Sequence, residues 1–282
     1  MEYALEIEKF DKKVLDKNIS RIYFGDAFCQ KLIPNKKVLL ETYKKVINEG
    51  LSFTLNTPFL NDDNINIELK NIEHLCNYNK NFEIIVNDYG LFYEIRRNFP
   101  DIKLSLGRLL TKQKTDPNII KNDKKITSND DIKKSLSNIL SKNKNIYKHF
   151  KASMINDKIY QEYLLKNNVN RFEIEYLVWD MDLSFNKKFK ITIYYPYAHI
   201  TTTRNCGISN MSYIKCNKTC NDIRLEIKNP FHFFNYFLIR NTVYYNIENL
   251  ITKKTIKKYK NLDRIVFNDI NKYKHFLYGA NK

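Results

Sequence analysis

The stretch RIYFGDAFCQKLIPNKKVLLETYKKVINEG (residues 21–50) decides the fold, because it contains a strand, a loop and a helix in succession. RIYFGD is an apolar run of strand length, and VLLETYKKVINEG carries apolar residues at helical spacing. Gly50 suits the C-terminal cap of that helix. The next run, LSFTLN (residues 51–56), has strand length again. This stretch therefore predicts repeated βα units.

Similar units recur along the rest of the chain. The count reaches seven or eight strands, and RLEIKN, the aromatic stretch after it or DRIVFND could supply the eighth. We predict an α/β fold with a TIM-like (β/α)8 barrel or a close variant, formed by residues 1–282 as a single domain. A doubly wound open sheet is the alternative. The other runs of strand length are EYALEIE, FEIIVND, IKLSLGRLL, RFEIEYLVW and KFKITIYYPYAHITT.

Composition excludes several classes of protein. A hydrophobic fraction of 43% excludes a chain that is disordered throughout, and only 6 Gly and 6 Pro exclude a collagen-like one. The N-terminal sequence lacks the apolar segment of a secretory signal. The chain has no run of ~18 apolar residues, so no membrane span is predicted. We therefore expect a cytoplasmic protein.

The chain is strongly basic, with 48 Lys and Arg against 31 Asp and Glu, or 48 − 31 = +17. A basic surface attracts RNA, so RNA is a candidate partner. The excess is mostly lysine, which lacks the planar fork of arginine, and a lysine- and asparagine-rich chain also reflects a biased genome. Much of the charge lies in residues 111–145, which we predict to be a mobile, polar, lysine-rich insertion within the domain.

The cysteines form a pattern that suggests a metal centre. Cys206, Cys216 and Cys220 have C-x9-C-x3-C spacing, and Cys29 follows the second predicted strand. Four thiolates would suit zinc or an iron–sulfur cluster, and the loose spacing favours the cluster. Ordinary reduced thiols are the alternative. Cys76 lies in the apolar register of a predicted helix, so we assign it to the core.

Polar residues after other predicted strands are candidates for catalysis, because strand ends of an α/β barrel converge on one face. Asn87 and Asp88 could bind substrate or serve as an acid–base pair, or they could form an ordinary turn and N-cap. Arg108 could clamp an anion, or it could pair with a neighbouring strand-end acid. The Glu175 carboxylate is expected to face the barrel interior, where it needs a compensating partner or a functional role. His199 lies at a strand end beside the cysteine-rich segment.

Several motifs resemble the collagenase-like peptidase family, family U thirty-two, and most closely its short, single-barrel members of the UbiV type. The similarity runs from about Ile22 to Glu226 and leaves the lysine-rich insertion unmatched. The motifs that carry it are IYFGDAFC, IIVNDYGLFYEI, LSLGRLLTKQKTDP, RFEIEYL and YYPYAHITTTRNC with the two cysteines that follow.

This resemblance implies a TIM-like barrel that binds a 4Fe-4S cluster on four cysteines. The matching positions are Cys29, Cys206, Cys216 and Cys220, with residues 206–220 as the cluster-binding loop. Relatives with such a cluster take part in oxygen-independent hydroxylation of a ubiquinone precursor, or of tRNA and ribosomal RNA bases. Others are called peptidases, but the longer peptidase-like members carry SG shortly before a cysteine, and this chain lacks that motif.

The resulting hypothesis is a cluster-binding protein of an anaerobic hydroxylation or redox system, similar to the UbiV type. The resemblance also implies a second family member as a heterodimer partner. An RNA-base hydroxylation factor and a peptidase are the alternative functions. If the chain is an enzyme, an iron–sulfur-dependent hydroxylase, or a subunit of one, is favoured over a hydrolase.

Overall fold

A computed structural model describes residues 1–116, 144–206, 209, 216, 218, 220, 223–228, 234–248 and 250–279 of the chain. Most of the predicted insertion at 111–145 and most of the loop at 206–220 lie outside these residues. The described start of the insertion contacts the barrel. Gln113 exchanges two hydrogen bonds with the backbone of Glu175, at 2.7 and 3.2 Å, and Thr115 donates to the carbonyl oxygen of Ile200 at 3.0 Å.

Eight parallel strands form a closed barrel, which confirms the predicted TIM-like fold and excludes the open sheet. DRIVFND supplies the eighth strand, and it closes the barrel by pairing with the first, with Ala4 opposite Val266. The apolar runs predict these strands well because both faces of a parallel sheet are buried. The barrel strands are β1 (Glu2–Ile7), β2 (Ile19–Gly25), β3 (Ser52–Asn56), β4 (Glu83–Val86), β5 (Lys103–Leu106), β6 (Val169–Ile174), β7 (Lys190–Tyr195) and β12 (Leu262–Phe267).

Helices cover the outside of the barrel, and several begin at a side chain that accepts a backbone N–H. Asn35, Asn61 and Asp157 do this for three of them, which satisfies donors that have no partner within a helix. None of the described helices is long and apolar enough to cross a membrane. Their bounds are α1 (Lys36–Asn48), α2 (Asp62–Tyr78), α3 (Tyr89–Asn98), α4 (Arg108–Thr111), α5 (Lys144–Lys151), α6 (Lys158–Lys166), α7 (Lys253–Lys257) and α8 (Ile270–Tyr278).

A four-stranded antiparallel sheet lies beside the barrel. The sequence pattern did not predict it, because KFKITIYYPYAHITT was interpreted as a single strand. The run is divided at Pro196, which has no N–H to continue the ladder of β7. RLEIKN also belongs to this sheet. Its strands are β8 (Tyr197–Thr202), β9 (Arg224–Ile227), β10 (Tyr236–Ile239) and β11 (Thr242–Asn246).

Glu68 is a buried acid on α2, with 1% of its surface exposed. Neither of its carboxylate oxygens has a hydrogen-bond partner within the described structure, and the nearby Asn71 amide donates to the Pro34 carbonyl oxygen. Burial raises the pKa of Glu68 to about 7, and Asn71 offsets only part of that rise. Ionised Glu68 therefore destabilises the fold, increasingly as the pH rises from about 4.5 to 7.

We expect Glu68→Gln to raise the free energy of unfolding by about 2–3 kcal/mol at pH 8, because the amide carries no charge to desolvate. At pH 4 the two proteins should be equally stable, since Glu68 is then protonated in both the folded and unfolded states. Urea unfolding at both pH values measures this difference. Glu73→Gln, at an exposed position of the same helix, is the control. A gain that is independent of pH would contradict the assignment.

Candidate metal centre at the barrel mouth

The carboxyl ends of the barrel strands surround a cavity of about 200 Å³, which the antiparallel sheet covers on one side. This is the end of a parallel α/β barrel at which reactive groups converge. Both sheets contribute to the lining, so the cavity depends on the second sheet as well as on the barrel. Its polar and charged lining residues are Glu6, Glu8, Asp26, Arg108, Tyr197, Arg240, Tyr244 and Asn268.

Three of the predicted site residues form one buried cluster. Glu175 Oε1 accepts from Arg108 Nη1 at 3.2 Å and lies 3.1 Å from His199 Nδ1. The Arg108 guanidinium also lies between the rings of Phe28 and Tyr194, with centroid distances of 4.6 and 3.6 Å. Arg108 thus forms the ion pair that was one of its two predicted roles.

The surroundings of Arg108 favour the charged form of its guanidinium. Burial alone would lower the pKa of its guanidinium, but Glu175, Tyr194 and Glu6 raise that pKa above the ordinary value. Burial raises the pKa of the Glu6 carboxyl, against the influence of Arg108. Arg108 Nε has no hydrogen-bond partner among the described residues, and neither does Asn268 Oδ1. The cavity is therefore lined by a fixed cation together with other charged and polar side chains.

Asn87 and Asp88 stabilise the loops around the mouth rather than lining the cavity. Asp88 is the N-cap of α3 and accepts from the backbone N–H groups of Gly90 and Leu91, at 2.8 and 3.1 Å. Asn87 Nδ2 donates to the Thr57 carbonyl oxygen at 2.8 Å. These contacts match the turn and N-cap alternative, because the side chains satisfy backbone groups that would otherwise lack partners.

The four predicted ligand cysteines are half-buried. The pKa of the Cys29 thiol is raised to about 11, mainly by burial, with Asp26 and Cys220 contributing in the same direction. Burial also raises the pKa of the Cys220 thiol; Arg240 opposes that rise, while Cys206 and Cys216 add to it. Cys220 therefore lies within electrostatic range of each of the other three thiols. In contrast, Cys76 is buried in the hydrophobic core, which confirms its sequence assignment.

Four cysteine thiols are the donor types that zinc or an iron–sulfur cluster would need. A positive ion stabilises thiolates that burial and mutual repulsion disfavour. Among the residues that the structure describes, no three His, Cys, Asp or Glu side chains form a group close enough to hold a metal ion. In the described structure the thiols therefore interact electrostatically with Cys220 but do not form a metal-binding group.

Sequence reasoning missed the two residues that join the thiol-bearing segments, Arg240 and Asn241. They form the turn between β10 and β11 and contact the residues around Cys29 and Cys206. No local pattern marks them, since the turn lacks the Asn-Gly or Asp-Gly pair that best predicts a tight hairpin. Comparisons of the chain with protein-family models, with curated proteins and with solved structures give no match.

Proposed function

We propose that the protein binds a 4Fe-4S cluster on Cys29, Cys206, Cys216 and Cys220 and acts in an oxygen-independent hydroxylation or redox system. The observation that carries this proposal is that Cys29, which follows β2, lies within electrostatic range of Cys220, one of three cysteines that follow β8. A bound cation would favour the thiolate forms of these cysteines, which burial otherwise disfavours.

The position of the thiols supports a redox role over a purely structural one. Arg240 lines the cavity at the barrel mouth and also acts electrostatically on Cys29 and Cys220. A bound cluster would supply one-electron transfer at this position. Arg108 would bind an oxygen atom of a small molecule in the cavity, and Glu175 would orient its guanidinium. The antiparallel sheet would limit access of water.

The resemblance to family U thirty-two supports the same assignment, since its matched cysteines are these four. By that resemblance the protein would work with a second family member as a heterodimer. The substrate need not be a ubiquinone precursor, because a lysine- and asparagine-rich composition suggests an organism in which that quinone need not be made.

RNA-base hydroxylation is a second candidate, favoured by the net charge of +17. It predicts that the protein retains RNA with an affinity that falls steeply with salt, because each neutralised phosphate releases counterions. A peptidase function is supported by the family name alone. Among the described residues His199 hydrogen-bonds only Glu175, so no hydroxyl or thiol is activated by it there.

A deletion strain tests the hydroxylation proposal. Grown without oxygen, it should lose a hydroxylated small molecule or RNA base that the wild-type gene restores. A gene with all four cysteines replaced by Ala should fail to restore that product, although the protein accumulates. Unchanged small-molecule and RNA hydroxylation profiles in the deletion strain would contradict the proposal. Retention of both the product and the activity by the four-cysteine variant would contradict the role of the thiols.

A further inference from the structure

We infer that the Arg240–Asn241 turn is the positioning element of the thiol site: it holds the segment of Cys29 against the segment of Cys206. This inference rests on the proposed function, since it concerns the same four thiols. It adds two residues that bind no metal themselves. The argument depends on contacts made by each residue of the turn.

Asn241 connects the two segments through its side chain. It is 3% exposed, and its Nδ2 donates to the Phe28 carbonyl oxygen at 2.9 Å and to the Thr203 carbonyl oxygen at 2.6 Å. Its own carbonyl oxygen accepts from the Thr203 N–H at 3.2 Å. Phe28 directly precedes Cys29, and Thr203 lies shortly before Cys206. The buried Asn241 side chain thus fixes the distance between the segment before Cys29 and the segment before Cys206.

Arg240 contacts the same two segments. Its guanidinium pairs with Asp26, whose Oδ1 accepts from the Cys29 N–H at 2.6 Å, so the ion pair supports the turn that presents Cys29. Its carbonyl oxygen lies 3.8 Å from Cys206 Sγ. Arg240 has φ = 59°, a left-handed conformation that directs the carbonyl and the side chain of this residue to their two partners.

Residues that hold metal ligands in place contribute to metal affinity without touching the metal. Loss of such a residue typically weakens binding by about 10–100-fold. Asn241→Asp is the sharpest variant, because a carboxylate has the shape of the amide but cannot donate to the Phe28 and Thr203 carbonyl oxygens. The matched control is Asn246→Asp, at an exposed position of β11 where, among the described residues, the side chain only accepts, from the Glu248 N–H at 2.7 Å.

Titration of the reduced, metal-free proteins with Co²⁺ tests the inference through thiolate-to-cobalt absorption. We expect Asn241→Asp to bind Co²⁺ about 10–100-fold more weakly than wild type, and Asn246→Asp to bind it equally well. Arg240→Lys keeps the charge but not the forked pairing, and it should weaken binding in the same direction. It serves as the test if Asn241→Asp does not fold. Equal affinity of the folded turn variants and wild type would overturn the inference.

Hydrogen exchange of the metal-free proteins separates this inference from the proposed function. Asn241→Asp should accelerate amide exchange in residues 26–29 and 203–206 with no change in the core strands. If wild type shows no thiolate-to-cobalt absorption, the proposed function fails, and the exchange result alone decides the positioning role. Unchanged exchange in both segments would contradict that role whether or not metal binds.

Discussion

Cys216→Ala is expected to lose the iron–sulfur cluster, whereas Cys76→Ala is expected to keep it. Cys216 is one of the four half-buried thiols that we propose as ligands, and Cys76 packs in the hydrophobic core. A 4Fe-4S cluster needs a ligand on each iron, so three thiolates leave one iron open to solvent and oxidation. Iron content and visible absorbance after anaerobic reconstitution measure the difference.

Cys76→Ala controls for the general loss of a cysteine, since it also removes a buried sulfur. Thermal unfolding of each metal-free protein shows whether the fold survives the substitution. Equal iron and sulfide in Cys216→Ala and wild type would remove Cys216 from the ligand set. Loss of the cluster in Cys76→Ala, with its fold intact, would contradict the assignment of that thiol to the core.

Arg264→Met is expected to destabilise the fold by about 3–5 kcal/mol, because Arg264 neutralises acids buried in the barrel. Arg264 is 2% exposed; its Nη1 donates to Glu83 Oε1 at 2.5 Å and its Nε to Glu2 Oε2 at 2.6 Å. Burial alone would raise the pKa of Glu83, but Arg264 and Arg21 hold it below the ordinary value. Chemical denaturation at pH 7 measures the loss.

The loss of stability in Arg264→Met should depend on pH in a definite direction. In wild type the lowered pKa of Glu83 stabilises the fold above the unfolded pKa of 4.5, and this contribution falls as Glu83 is protonated. In Arg264→Met the buried carboxylate costs free energy instead, and protonation relieves that cost. The difference between variant and wild type should therefore shrink as the pH falls, first towards 4.5 as the variant's carboxylate is protonated and then below 4.5 as wild type loses its contribution.

The matched control is Arg97→Met, which removes an exposed arginine paired with Glu94 at 3.5 Å. Such a surface pair contributes less than about 1 kcal/mol. Adding Glu83→Gln to Arg264→Met should recover part of the lost stability, because the uncompensated charge is then absent. Equal losses in Arg264→Met and Arg97→Met would contradict the role assigned to the barrel's buried charges.

The barrel was predictable because its strands are buried on both faces and therefore appear as apolar runs. DRIVFND was one of three segments named for the eighth strand, and only its pairing with β1 and β7 distinguishes it. The antiparallel sheet was not predictable in the same way. β9 is exposed along its whole length, and β8 continues the apolar run of β7 past Pro196.

The residues of the candidate site were also predictable only in part. Strand-end positions pointed to Cys29, Arg108 and His199, because the carboxyl ends of barrel strands share one face, and Glu175 was predicted as an inward acid of its strand. The Arg240–Asn241 turn could not be found this way, since its contacts join residues more than 30 positions apart in the sequence. Asn87 and Asp88 satisfied the strand-end rule equally well, but only the structure distinguishes their loop contacts from lining of the cavity.

The most direct test of the central claim is the iron and acid-labile sulfide content of the wild-type chain after anaerobic reconstitution. The account predicts about four iron and about four sulfide per chain, retained through gel filtration. The variant with Cys29, Cys206, Cys216 and Cys220 all replaced by Ala should retain none. Negligible iron and sulfide in wild type, equal to that variant, would contradict the account.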